Sequence, residues 1–121
     1  MSSTIFYILY FTASTDLLGR ELWQSDGTAA GTKMLSDINV GSGSSSPDDL
    51  TNINGVLYFS ADDGVNGREL WQSDGSVTGT KIVKDIFAGN ESANPSFVIG
   101  SVDLIVLLCF GLVFLRRRLF I

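Results

Sequence analysis

Histidine is absent from this chain, which removes the commonest general base and the commonest transition-metal ligand together. Cysteine occurs once, as Cys109 inside an apolar run, so no intrachain disulfide can form. An extracellular protein need not contain disulfides, so this leaves the compartment open. Basic side chains are scarce in the body: residues 1–103 hold all 13 acidic residues against five basic ones, a net charge of −8. Such a body repels phosphate backbones and excludes nucleic acid as a partner. Gly-rich phosphate loops, Cys/His clusters and nucleophile elbows are also missing, and no stretch of the body has a helical period. At 121 residues there is room for one modest domain.

What the chain does have is repetition. Gly19-Arg20-Glu21-Leu22-Trp23-Gln24-Ser25-Asp26-Gly27 recurs letter for letter at Gly67–Gly75, 48 residues later. At the same offset Tyr10-Phe11 aligns with Tyr58-Phe59, Gly31-Thr32-Lys33 with Gly79-Thr80-Lys81, Asp37-Ile38 with Asp85-Ile86, and Pro47 with Pro95. A fixed period in this range marks a repeat architecture, in which each unit needs a neighbour to bury its apolar face.

Within the second copy the apolar pattern alternates, which predicts strands. Leu50–Asn54 and Val56–Ala61 flank Asn54-Gly55, a hairpin signal because both residues tolerate positive φ. Asp62–Gly67 is turn chemistry, Arg68–Ser73 a third strand and Thr80–Ile86 a fourth. In the first copy Ile5–Phe11 aligns with Ile53–Phe59 and reads as a strand, since it lacks the basic start of a signal peptide. Ser14–Gly19 matches the turn. Gly41–Ser46 has the composition of a flexible linker, but its place in the repeat makes it the loop leading into the next unit.

The run Glu-Leu-Trp-x-x-Asp-Gly-Thr at Glu21–Thr28, followed by Gly31-Thr32, resembles the bacterial ELWxxDGT repeat, grouped with hyalin-like repeats. The second copy, Glu69–Ser76, changes only the final threonine to serine and keeps the hydroxyl. The resemblance covers about residues 5–96 and implies a large surface or secreted protein with propeller-like repeats. It brings no catalytic residues. The expected fold is all-β, with two four-stranded propeller-like blades at residues 1–47 and 48–96, then a hydrophobic helix at 97–118. Closed propellers take ~4–8 blades and stacked repeats about three or more. Two blades therefore leave three outcomes: a place in a longer array, of which this chain is a C-terminal fragment and which is the favoured reading, a ring closed by self-association, or marginal stability alone.

The helix is expected because Leu104–Leu115 has no polar side chain except the Cys109 thiol, and Phe97–Leu115 has a single charge, Asp103. Nineteen residues of helix span about 28 Å, close to the ~30 Å hydrocarbon core. Arg116-Arg117-Arg118 then acts as a cytoplasmic anchor and leaves the acidic repeats outside. The same layout resembles a bacterial sorting tail, although its small-residue signature is thin and Leu119–Ile121 extends past the arginines. A competing assignment makes Phe97–Leu108 the opening hairpin of a third blade.

Candidate chemistry is sparse. Trp23 and Trp71 offer indole faces for sugar stacking, set against core packing of strand aromatics. Glu21 with Asp26, and Glu69 with Asp74, look like acid/base pairs. Yet a catalytic centre is one asymmetric constellation, and identical recurrence favours hydrogen-bonding roles, with Asp26 and Asp74 forming Asx turns before glycine. Asp62, Asp63 and Asn66 carry oxygens for a weak calcium site, without EF-hand spacing. No other cofactor is indicated. The expectation is a non-enzymatic extracellular scaffold or interaction module, anchored in the membrane, with other repeats, a second copy, a surface protein or a glycan as partner. A lectin-like module using Trp23 and Trp71 is the alternative, and a hydrolase the distant third.

Overall fold

The computed structural model describes residues 7–97, which form seven strands and no helix. They are β1 (Leu9–Thr15), β2 (Gly19–Ser25), β3 (Lys33–Ser36), β4 (Asp48–Ile53), β5 (Val56–Asp62), β6 (Arg68–Ser73) and β7 (Lys81–Lys84). Two antiparallel sheets result, β1-β2-β3 and β4-β5-β6-β7, each in simple meander order. The chain is all-β over these residues. The expected fourth strand of the first sheet, 48 residues before β4, falls on residues 1–5 and lies outside the described residues, as does residue 98 onward of the expected helix.

The two copies fold in register. Phe11 pairs with Trp23 and Phe59 with Trp71, Thr12 with Leu22 and Ser60 with Leu70. A bulge falls between Leu22 and Trp23 and again between Leu70 and Trp71. β4 and β5 are joined at Asn54-Gly55, whose φ angles of 51° and 87° are those of the tight hairpin the sequence predicts. Several boundaries differ from expectation: β1 begins at Leu9, with Tyr7 and Ile8 outside it, β4 begins at Asp48 and ends at Ile53, β5 runs to Asp62 and β7 begins at Lys81. β1 runs on to Thr15, which pairs with Gly19, so the turn shrinks to residues 16–18. β7 stops at Lys84, because the next amides are drawn away from the ladder, as described below.

Alternation along the strands gives each sheet two faces. One face of the first sheet carries Tyr10, Leu22 and Leu35, joined by Ile38 from the loop after β3. The opposite face of the second sheet carries Leu57, Phe59, Ala61 and Trp71. These surfaces form a single core, with Leu50 and Ile82 packed at its margin. Leu22, Phe59 and Ala61 have no exposed surface at all. Truncating a ring buried like Phe59 costs ~3–5 kcal/mol, so the contact between sheets is a main source of stability.

Candidate functional site

The fold gives the polar residues of the repeated motif their positions twice. Glu21 is fully buried at the start of β2. Its carboxylate accepts from the backbone N–H of Ile38 at 2.9 Å, Asn39 at 3.2 Å and Ser45 at 3.1 Å, and from the Ser45 hydroxyl. Burial raises the Glu21 carboxyl above its ordinary range, outweighing the Ser45 hydroxyl and the three amides that act in the other direction. Glu69, equally buried, accepts from Ile86 at 3.0 Å and Phe87 at 3.2 Å. These amides turn toward the acid, which ends β7 before the expected Ile86. Position 93 is alanine where the first repeat has Ser45, so the second clasp has no hydroxyl donor there.

A second device holds the Asp-Gly-Thr loop. Asp26 Oδ1 accepts from the Thr28 N–H at 2.9 Å and the Thr28 hydroxyl at 2.6 Å. Thr28 Oγ1 in turn accepts from the Gly31 N–H at 2.9 Å, and Ser25 Oγ meets Thr32 Oγ1 at 2.6 Å. The second copy repeats every one of these bonds with Asp74, Ser76, Gly79, Ser73 and Thr80. These are the Asx turns expected from the sequence. A Cβ at Gly31 would stand 2.0 Å from Asp26 Oδ1, and one at Gly79 1.9 Å from Asp74 Oδ1. Both aspartates are held below the usual carboxylate range, first by the hydroxyl of Thr28 or Ser76 and then by the backbone N–H of the same residue.

Glu21 is therefore occupied by donors 17–24 residues downstream and Asp26 by its own turn, and the two share no hydrogen-bond partner, nor do Glu69 and Asp74. The arginines, which sequence reasoning did not single out, tie strands and connector together. Arg20 donates to Thr12 Oγ1 and Arg68 to Ser60 Oγ, both at 2.9 Å. Arg68 also donates to the Ser46 carbonyl at 2.8 Å, reaching the connector between the sheets. The connector itself crosses the start of β2, with Ser45 and Ser46 N–H both donating to the Arg20 carbonyl. Ala93 and Asn94 do the same to Arg68.

The tryptophans lie beside phenylalanines. Phe59 and Trp71 have ring centroids 6.4 Å apart within the core, and Phe11 and Trp23 have the same separation on the half-covered face of the first sheet. The indole N–H groups of both tryptophans, and Oδ1 of Asp37 and Asp85, are buried without a hydrogen-bond partner among the described residues. In the acidic turn, Asp63 accepts from Val65 N–H at 2.9 Å, Asn66 N–H at 2.7 Å and Asn66 Nδ2 at 2.7 Å, and Asp62 from Gly64 N–H at 2.8 Å. Burial tends to raise the Asp63 carboxyl, but the amides of Asn66 and Val65 prevail and hold it low. Among the described residues no three metal-ligating side chains gather at one place, and no helix is long and apolar enough to cross a membrane. Arg116, Arg117 and Arg118 lie outside the described residues.

No family model matches the chain. No curated protein and no solved structure matches it either.

Proposed function

We propose that the chain is a non-enzymatic repeat module of the cell surface, built of propeller-like blades, tethered by its C-terminal segment and serving as a scaffold or interaction domain. One observation carries the reading: the recurring carboxylates do the same internal work in both repeats, Glu21 and Glu69 binding loop amides and Asp26 and Asp74 closing turns. A residue needed for chemistry is required once, whereas a residue needed to hold a repeat is required in each. The resemblance to ELWxxDGT repeats supports the same assignment. The Arg116–Arg118 cluster directly after an apolar run supports external placement of the repeats.

Protease treatment of cells expressing the full chain tests it. The repeats should be cut in intact cells, while the remaining C-terminal fragment stays in the membrane pellet after alkaline carbonate extraction. Repeats that resist cleavage until the membrane is permeabilised, or a chain released by carbonate, would overturn the assignment.

A further inference from the structure

The two repeats are an internal control on each other, because the same positions are covered in one and bare in the other. In the first sheet Leu35 is 4% and Ile38 6% exposed, since the second sheet lies on them. Their counterparts 48 residues on, Val83 and Ile86, are 44% and 52% exposed. The asymmetry runs the opposite way on the other face. Leu57 is 2% exposed against the first sheet, whereas its counterpart Leu9 is 64% exposed. Among the described residues there is thus one joined pair of faces inside and one less covered copy of each face outside, where Leu9, Val83 and Ile86 are exposed and Phe11, Trp23, Tyr58 and Leu70 are half-buried.

We propose that the chain associates with a second copy of itself head to tail, the outer face of the second sheet in one copy covering the outer face of the first sheet in the next. The proposal rests on reading the repeats as stacking modules. Its occupant is chosen by chemical identity with the existing junction. On one side Leu57, Phe59, Ala61 and Trp71 are matched by Leu9, Phe11, Ala13 and Trp23. On the other Tyr10, Leu22 and Ile38 are matched by Tyr58, Leu70 and Ile86, with Val83 in place of Leu35. A contact between copies would thus repeat most of the apolar pairing present within the chain.

A second observation agrees. Within the chain, the Tyr10 hydroxyl reaches across the junction to lie 3.0 Å from the Cβ position of Gly75. The counterpart Gly27 has open space on that side, next to a cavity of about 330 Å³ lined by Tyr7, Ile8, Leu9, Ser25, Asp26 and Gly27. Tyr58 of the second copy is the residue that register assigns to this cavity. One corner differs. Asn39 closes on Gly64 within the chain, a Cβ at Gly64 meeting Asn39 Oδ1 at 2.8 Å. Between copies the corresponding pair is Phe87 and Asp16, so that corner stands further apart. The contact is heterologous, using two different faces, and so propagates to rings or open chains rather than stopping at a symmetric dimer.

The test is complementation between single-face variants of the full chain, followed by sedimentation in density-matched non-ionic detergent. Leu9→Asp and Val83→Asp each place a charge on one outer face, at exposed strand positions outside the glutamate clasps, and far-UV spectra check that each variant folds. Wild type should grow beyond monomer with concentration. Each variant alone should lose association by roughly 30-fold or more, as for a truncated interface anchor. An equimolar mixture should form a one-to-one dimer that grows no further, because each variant keeps the face the other lacks. Monomeric wild type would overturn the proposal and leave residues 98–121 or another protein as the cover. Variants that associate like wild type, or a mixture that stays monomeric, would overturn it as well. A monomer leaves the cell-surface reading intact, and a failure of surface display leaves the sedimentation result unaffected.

Discussion

Replacing Glu21 by glutamine isolates what a buried acid does in this fold. The two carboxylate oxygens share four donors: Asn39 and Ser45 amides on one, the Ile38 amide and the Ser45 hydroxyl on the other. Glutamine is nearly isosteric but turns one acceptor into an NH₂ group. Its best orientation keeps the Asn39 and Ser45 amides and lets the Ser45 hydroxyl rotate to accept, but the Ile38 amide then faces another donor. The lost bond to a charged acceptor is worth ~1.5–3 kcal/mol and the buried orphan ~1–3 kcal/mol. Relief from burying a charge, which outweighs the donors at Glu21, offsets much of this, leaving about 2 kcal/mol for the mismatched Ile38 amide. With a urea slope of ~2 kcal/mol/M, the midpoint should fall by about 1 M. Tryptophan fluorescence of the full chain in urea reads this directly. Ser45→Ala, which only imposes the arrangement native to the second repeat, should cost ~0.5–1 kcal/mol. A Glu21→Gln loss under ~0.5 kcal/mol, or a Ser45→Ala loss as large as that of Glu21→Gln, would refute the clasp as the source of stability.

The loop makes further demands. Gly31→Ala pushes a methyl into Asp26 and should destabilise by ~1–3 kcal/mol by opening the Asx turn, measured as a midpoint shift. Thr28→Ser should be nearly neutral, because Ser76 already makes both hydroxyl bonds in the second repeat, while Thr28→Val should cost ~1–2 kcal/mol. The pH dependence has two opposed parts. With its folded value raised above 4.5, Glu21 binds its proton more readily in the folded state, so its contribution to stability grows as pH falls from the raised value toward 4.5. Asp26, Asp63 and Asp74, held below 3.8, contribute above that value and lose their contribution as pH falls through their folded values. Urea midpoints across pH 3–7 should show the upper part vanish in Glu21→Gln and the lower part shrink in Asp26→Asn with Asp74→Asn. Unchanged profiles would contradict both assignments.

The strands were legible because their information is local. Alternating apolar residues, the Asn54-Gly55 turn and a repeated motif all act within a few positions, and the Asx turns at Asp26 and Asp74 likewise bond two residues ahead. The glutamates were legible only as hydrogen-bonding residues. Their partners lie 17–24 residues downstream, a distance no local pattern encodes. Ser45 gave no signal because the second copy has alanine there. Strand ends were misplaced for the same reason: Ile86 has the composition of a strand residue, but Glu69 competes for its amide. Arg20 and Arg68 passed unread within the repeated motif, because the reach of Arg68 to the Ser46 carbonyl depends on how the connector crosses the sheet.

The clasp also sets where one module can be divided from the next. Each buried acid is locked by amides beyond its last strand, Ser45 being the furthest for the first module. A nascent chain cannot seal that module until Ser45 has emerged, by which time the thread is already entering the next sheet. The physical unit is thus out of phase with the written motif. A graft trimmed at Ser36 would abandon a carboxylate in the interior, whereas one kept through Ser46 would carry its own lock.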